Sequence, residues 1–526
     1  MQRRSFLKNS IAACTSTLFL DSIMNKAFAQ SSVIDALNAS TNDKVLVLVQ
    51  LNGGNDGINT VIPLDQYTNL SSARANVLIK DTDVLKLNGN STTGLHPAMG
   101  GMKDLYDNKS LSLIQGVSYP NPDFSHFRAT DIWLTGADSG KFETSGVGGR
   151  YLQTQYPGFP TGYPNALNPD PLAIQIGSSV SLFLQGAGPS MGMSIASLAA
   201  INNLINGTTD PVPSTPAGHE LAFLRLVNQQ TQKYNTVIAT AASAAPVNIS
   251  TKYPVAPDNR LGDQLKIVAR LIKGGLKTKI YIVSVNGFDT HAAQVDPANH
   301  SIGAHANLLS YVSKGIEGFQ DDCIKMGIDN RVTGMVFSEF GRRIISNGSG
   351  GTDHGSGAPV IMFGTELIGG MYGKNPTISA NVSSSFNVPM QFDFRQIYAT
   401  IMKDWFAIDD AAMSSTMLKS YTTLDLFKKK QTNISDQMAA NNSYQLGEIY
   451  PNPIQSSAVI PFSSKGGYVS LKLHDLSGRT IATLIDNKVD AGAHQIVFER
   501  NNIPAGNYIL EMQGENYKNT SMLVLE

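Results

Sequence analysis

KVLVLVQLNGGNDG, residues 44–57, reads as a strand that stops abruptly at glycine. Its first eight residues are almost continuously apolar and rich in valine. That pattern suits a strand covered on both faces in a parallel sheet, since a half-exposed strand would alternate. The glycines that follow free backbone amides for an anion, and Asp56 either holds a cation there or caps the turn through its own backbone. Five further apolar runs have the same character: LSLIQGV at 111–117, LAIQI at 172–176, KIYIVSV at 279–285, VTGMVF at 332–337 and APVIMFG at 358–364. Helical periodicity fills the intervals at 96–106, 125–134, 217–240, 259–273, 300–326 and 394–406, the last with Asp393 as N-cap. Strand and helix in alternation predict an α/β sandwich around a largely parallel central sheet, with ligands gathered beyond the C-terminal strand ends.

Composition narrows the function. The 526 residues carry 40 basic and 41 acidic side chains, so there is no excess charge with which to grip nucleic acid. The opening MQRRSFLKNSIAACTSTLFLDSIMNKAFAQ has paired Arg3 and Arg4, an apolar run and a small-residue end. It reads as an export signal cleaved after Ala29, and RRSFLK resembles a twin-arginine signal. Removing residues 1–29 takes four basic residues and one acidic one, leaving 36 against 40, a formal charge near −4. Cys323 is then the sole cysteine, so core packing, helped by metal, must stabilise the chain. No later run is long enough to cross a bilayer.

The expected organisation is an export signal at 1–29, a lead-in at 30–43, the α/β domain at 44–426, a polar linker at 427–446 and a small all-β sandwich at 447–526. The last unit shows short alternating strands and turns: YVSLKLHDLSG, RTIATLID, HQIVFERN, AGNYILEMQG and NTSMLVLE. The stretches 156–171 and 206–216 read as irregular excursions.

Four segments carry the candidate chemistry. Asp56 follows the first strand. Ser125 stands at a helix start, where unpaired amides can hold an oxyanion; it is a nucleophile or simply an N-cap, with His126 and Arg128 beside it. Asp289 and His291 come directly after the strand at 279–285, and one cation explains both an oxygen and an imidazole donor there. Glu339 and Arg342 follow the strand at 332–337; Glu339 orients a ligand histidine or closes a packed Glu–Arg pair, while Arg342 grips an anion or pairs with Glu339. Asp353 and His354, in GGTDHGSGAP, join a metal or phosphate site. A nucleotide triphosphatase ranks lower, since no Walker lysine follows GGNDG.

The landmarks QLNGGNDGINTVIP, HPAMGGMKDLY, SHFRATDIWLTG, NGFDTH, FSEFGRR and GTDHGSGAP, in this order, resemble an exported family known as domain of unknown function 1501. That family looks like a relative of alkaline phosphatases and sulfatases. The resemblance implies a three-layer alkaline phosphatase-like sandwich, metal ligation by Asp56, Asp289, His291, Asp353 and His354, nucleophilic attack by Ser125, and contacts to the transferred group from Arg128 or Arg342. Glu339 and His126 are then supporting residues. No imidazole occupies the place of the last expected ligand, so the resemblance implies one metal, zinc or calcium, or loss of turnover. YPNP, LHDLSGR, GAHQIVF and IPAGNYIL resemble the type A sorting domain of the type IX secretion system, which implies that secretion machinery as a partner and an extracellular or cell-surface destination. The expected function is a metal-dependent phosphate- or sulfate-ester hydrolase. The alternative is an inactive envelope binding or assembly protein that keeps the pocket and joins another exported protein.

Overall fold

The computed structural model describes residues 42–197, 233–255, 259–428, 445–447, 449–514 and 517–526. The export signal, the excursion at 206–216, most of the linker and most of the helix expected at 217–240 lie outside the described residues; residues 233–244 are helical. Contacts divide the chain into two units, Asn42–Lys428 and one that contains Lys429–Glu526.

The larger unit is built on a nine-stranded sheet. Its order is Gly370–Tyr372, Leu111–Ser118, Ala358–Phe363, Val332–Ser338, Val45–Asn52, Ile280–Asn286, Ala173–Ile176 and Met193–Ile195, with Phe392–Asp393 also paired to Leu111–Ser118. All six strands expected from apolar runs are present. Val45–Asn52 lies at the centre, buried along almost its whole length, as a strand covered on both faces must be. Every pairing is parallel except those of Ala358–Phe363, which runs antiparallel to both neighbours.

Register sets the place of the chemistry. Leu51 pairs with Ser338 and Asn52 with Asn286, so three adjacent parallel strands end at one level. Their following loops carry Asp56, Glu339 with Arg342, and Asp289 with His291. Asp353 and His354 reach the same edge because the next strand, Ala358–Phe363, runs the other way and starts there. Two apolar clusters sandwich the sheet. One packs the helices Arg260–Lys273 and Ala304–Met326 against Val45, Val47 and Val49; the other packs Phe394–Thr400 and His126–Thr135 against Leu46 and Leu48. Asp393 caps its helix in a capping box with Gln396, as expected.

The helix His126–Thr135 is held by one face. Ala129, Ile132 and Trp133 are buried at the spacing of successive turns. The Trp133 ring stacks between Phe337, with centroids 5.1 Å apart, and Phe394, at 4.3 Å. Gly136 ends the helix in a left-handed conformation, φ 69°.

The C-terminal unit is all-β, as expected, but its strands are fewer and longer. The runs RTIATLID and HQIVFERN belong to one strand, Thr480–Glu499, paired antiparallel along Ser457–His474. Gln445–Leu446, Gly506–Gly514 and Tyr517–Leu525 complete a single antiparallel five-stranded sheet, in place of the sandwich of short strands. Val469, Leu471 and Leu473 alternate inward against Tyr508, Leu510 and Met512 to form its core. The merger follows from the sequence between the two runs: NKVDAGA contains no proline, and its pairing continues through Ala493 and Gly492.

Trp133→Ala removes the ring on which the His126 helix is seated. The α/β unit should lose about 3–5 kcal/mol of unfolding free energy in a denaturant titration.

Candidate metal centre

The strand-end loops meet by close backbone contact. A Cβ at Gly53, where φ is 125°, would lie 2.3 Å from the Asp289 amide nitrogen, so only glycine allows the first loop to lie on the third. Gly351 has the same role against His291, whose carbonyl carbon would be 2.4 Å from an added Cβ.

Beneath this junction lies Arg342, 1% exposed. Its Nε donates to the Gly54 carbonyl at 2.5 Å, and its two terminal nitrogens donate to the carbonyls of Gly53, Phe288 and Thr352. One of them also donates to Asp289 Oδ1 at 2.6 Å. Arg342 pairs with Asp289 and not with Glu339. Its burial makes it a clamp on the loops, with no open face for a substrate anion.

Four side chains converge above Arg342. Asp289 Oδ1 lies 3.1 Å from His291 Nε2 and 3.3 Å from His354 Nε2, and those two nitrogens are 2.9 Å apart. Asp289 Oδ2 is 3.4 Å from His126 Nε2. In each imidazole the other nitrogen faces an atom that can only accept: Glu339 Oε1 for His126 at 2.8 Å, Asp353 Oδ1 for His291 at 3.2 Å and the Phe124 carbonyl for His354 at 2.8 Å. Each Nδ1 therefore carries the hydrogen, and three Nε2 lone pairs point toward one carboxylate. Such a set repels itself unless a cation is shared. The Arg342 guanidinium relieves part of the repulsion, approaching His291 Nε2 at 3.4 Å. No hydrogen-bond partner reaches His126 Nε2. Donors about 2.0–2.1 Å from a tetrahedral ion stand about 3.4 Å from one another, close to the spacings seen here. His126, Asp289 and His354 thus form a group able to chelate a divalent metal, partly open to solvent.

Electrostatics keep Asp289 and His354 in ligating form. Burial pushes the Asp289 carboxyl up, but the hydrogen bond and charge of Arg342 outweigh it and bring the pKa down to about 2. Burial, reinforced by the Arg342 charge, lowers His354 and keeps it neutral. The Asn347 amide, donating at 3.0 Å, leads the effects that hold Asp353 below its usual range.

The remaining expected residues fall elsewhere. Glu339, 2% exposed, accepts from the Gly53 amide at 2.8 Å, from the Ser338 hydroxyl at 3.1 Å and from His126, so it orients a histidine and forms no pair with Arg342. Ser125 is exposed at the N-cap of His126–Thr135; its hydroxyl caps no amide, while its own amide donates to Asp123 at 2.7 Å. Arg128 turns away from the cluster and donates to the carbonyls of Ser139 and Lys141.

Asp56 is fully buried and does not join the convergent group. Arg74, equally buried, grips both its oxygens at 3.1 and 3.0 Å, and Gln294 donates to Oδ2 at 2.7 Å. Its Oδ1 also caps the short helix Gly57–Thr60 through the Asn59 amide, the turn-capping alternative. Burial raises the Asp56 carboxyl, but the Arg74 charge and these hydrogen bonds prevail and lower it. Arg74 carried no signal in the sequence, being one more cation in a polar stretch. His96 and His305 pack edge-on beside this network, lowered by burial to about 3 and about 4 and so neutral.

The class these features define is an α/β protein with a largely parallel central sheet and a His–Asp–His cluster suited to a divalent ion. Residues 215–419 match the family described as Protein of unknown function (DUF1501), and residues 448–526 match the Secretion system C-terminal sorting domain, so the family resemblance holds for both segments. The first segment includes Asp289, His291, Glu339, Arg342, Asp353 and His354; Asp56, Ser125 and His126 precede it. The sorting domain marks the protein as exported, extracellular or at the cell surface. No described helix is long and apolar enough to cross a membrane.

Among solved structures, Ps i-CgsB in complex with k-i-k-neocarrahexaose is 10% identical over 80% of this chain and 83% of its own, with a TM-score of 0.32. An alkaline phosphatase superfamily protein from Vibrio parahaemolyticus is 10% identical over 92% and 82%, TM-score 0.31. The PsFucS1 sulfatase from Pseudoalteromonas sp. is 12% identical over 89% and 86%, TM-score 0.26. Likenesses at this level carry no argument about chemistry. Comparison with curated protein sequences finds no match.

Arg74→Met leaves the buried Asp56 charge uncompensated and should cost about 3–5 kcal/mol, part of it recovered by adding Asp56→Asn. The folded-state carboxyl is depressed, so its stabilisation is present above the ordinary value of about 4 and is lost as pH falls through the folded value. The gap in unfolding midpoint between the wild type and Asp56→Asn should therefore narrow on acidification below about pH 4.

Proposed function

We propose that the α/β unit, spanning about residues 44–426, is a single-metal hydrolase of phosphate or sulfate esters that works outside the cell after export through a cleaved twin-arginine signal. The observation that carries this reading is the convergence of His126, His291 and His354 Nε2 on Asp289, each imidazole fixed in its ligating tautomer by a separate acceptor. His126, Asp289 and His354 would hold the ion, with Glu339 behind His126, and with His291, backed by Asp353, beside them. A donor set dominated by imidazole favours a zinc-like ion over calcium, which takes six to eight oxygens. A bound divalent ion would act as a Lewis acid on a nonbridging ester oxygen.

Ser125 is the nucleophile in this reading. It immediately precedes His126 and stands at the N-terminus of a ten-residue helix, whose free amides favour developing negative charge. The Ser125 oxygen bonds to phosphorus or sulfur as the ester bond breaks. The hydroxyl proton leaves to solvent, which Ser125 contacts, and the departing alcohol takes a proton from solvent. Water then cleaves the phosphoryl- or sulfuryl-serine, returning the hydroxyl and releasing the inorganic anion. Arg342 positions the loops, and neither it nor Arg128 is needed to touch substrate.

Elemental analysis of the purified protein should find one equivalent of divalent metal. Ser125→Ala should keep that metal while losing turnover of phosphate or sulfate monoesters by at least roughly a thousandfold. Metal retained with no Ser125-dependent turnover would favour the alternative, an envelope binding protein, a reading that the diversion of Asp56 to Arg74 also supports.

Asp353→Ala frees the His291 imidazole to rotate and change tautomer. It should weaken metal affinity by about 10–100-fold in a competitive chelator titration, with the folded structure intact by circular dichroism.

A further inference from the structure

Two threonines stand among the residues of the cluster with their hydroxyls turned inward. Thr290 lies between Asp289 and His291, and Thr352 directly precedes Asp353 and His354. Both are buried, Thr290 5% and Thr352 0% exposed, whereas the Asp289, His291 and Asp353 side chains are nearly half exposed. Both hydroxyls donate to one atom, Gln294 Oε1, at 3.0 Å and 2.8 Å. Gln294 is fully buried, and its Nε2 donates to Asp56 Oδ2 at 2.7 Å. The direction of this amide is fixed, since a carboxylate can only accept and both lone pairs of Oε1 are then taken by the hydroxyls. The main chain of Gln294 is anchored as well, its amide donating to the Gly350 carbonyl at 2.9 Å.

The Gln294 side chain therefore joins the two segments that deliver Asp289, His291, Asp353 and His354, and ties both to the buried Asp56–Arg74 pair. Arg342 holds the same segments through the carbonyls of Phe288 and Thr352. One anchor leaves a loop free to turn about it; a second, on the side chains, removes that freedom. Small turns matter, because a binding constellation must be held within about 0.5 Å of its productive geometry. Building on the metal-centre reading, we infer that Gln294 is a positioning residue that sets the affinity of the cluster for its ion while touching neither ion nor substrate, with Thr290 and Thr352 as its contacts to the ligand segments.

The test is the zinc affinity of the full chain, measured by chelator competition on preparations that circular dichroism shows to be folded. Gln294→Met keeps the bulk of the side chain and removes both polar ends; it should weaken zinc binding by roughly tenfold or more, the usual scale for a residue one step behind the ligands. Thr290→Val/Thr352→Val exchanges each hydroxyl for a methyl and should do the same, whereas Thr290→Ser/Thr352→Ser keeps the donors and should restore most of the affinity. If Gln294→Met does not fold, the valine and serine pairs decide. Cobalt(II) in place of zinc should show a shifted visible absorption band in the valine pair and the wild-type band in the serine pair. A purely structural role would lower the unfolding midpoint and leave the zinc affinity of the folded variants unchanged; that result, or equal losses in the serine and valine pairs, would overturn the inference. Zinc bound by no protein, wild type included, would overturn the metal-centre reading itself and this inference with it.

Discussion

One buried guanidinium holds the candidate site together. The loops after Val45–Asn52 and Ile280–Asn286 and the Thr352–His354 strand present carbonyls at one point, and Arg342 donates to four of them as well as to Asp289. Carbonyls left unpaired at this depth would each cost on the order of 1–3 kcal/mol. Only a planar, permanently charged fork with five donors can meet so many acceptors from a single position; a lysine has three donors on a point charge. The same charge depresses the Asp289 carboxyl. Loop geometry and ligand charge state therefore have a common cause.

Around that clamp the polar residues separate into two layers. In the sealed layer, Asp56, Arg74 and Gln294 satisfy one another out of contact with water, beside neutral His96 and His305. In the open layer, Asp289 and three imidazoles are partly exposed to solvent. Burial decides the division. A carboxylate taken fully out of water needs a fixed counter-charge, and Arg74 supplies one, so Asp56 stabilises the first loop without contributing to the convergent donors. Asp289, nearly half exposed, keeps an oxygen available.

The open layer is organised by hydrogen bonds one step removed. Glu339, Asp353 and the Phe124 carbonyl each take the Nδ1 hydrogen of a different histidine, which aims the opposite lone pair. Glu339 also accepts from the Gly53 amide, so the residue that orients His126 is itself fixed by the first strand's loop. The flanking helix adds the seating of Trp133 between Phe337 and Phe394.

Much of this was legible in the chain alone. Continuous apolar runs marked the six principal strands, because burial on both faces leaves no room for alternation, and the adjacency of Asp289, His291, Asp353 and His354 to strand ends marked where chemistry would lie. The short strands Met193–Ile195 and Gly370–Tyr372 carried no periodicity long enough to read. Tertiary structure alone decided that Arg74 takes Asp56, that Arg342 clamps backbone, that Arg128 turns away from the cluster and that His126 joins the convergent donors. The physical reason is that a strand's burial is a property of consecutive residues, whereas the partner of a charged side chain depends on which distant loops the sheet register brings within about 3 Å, a distance no local pattern encodes.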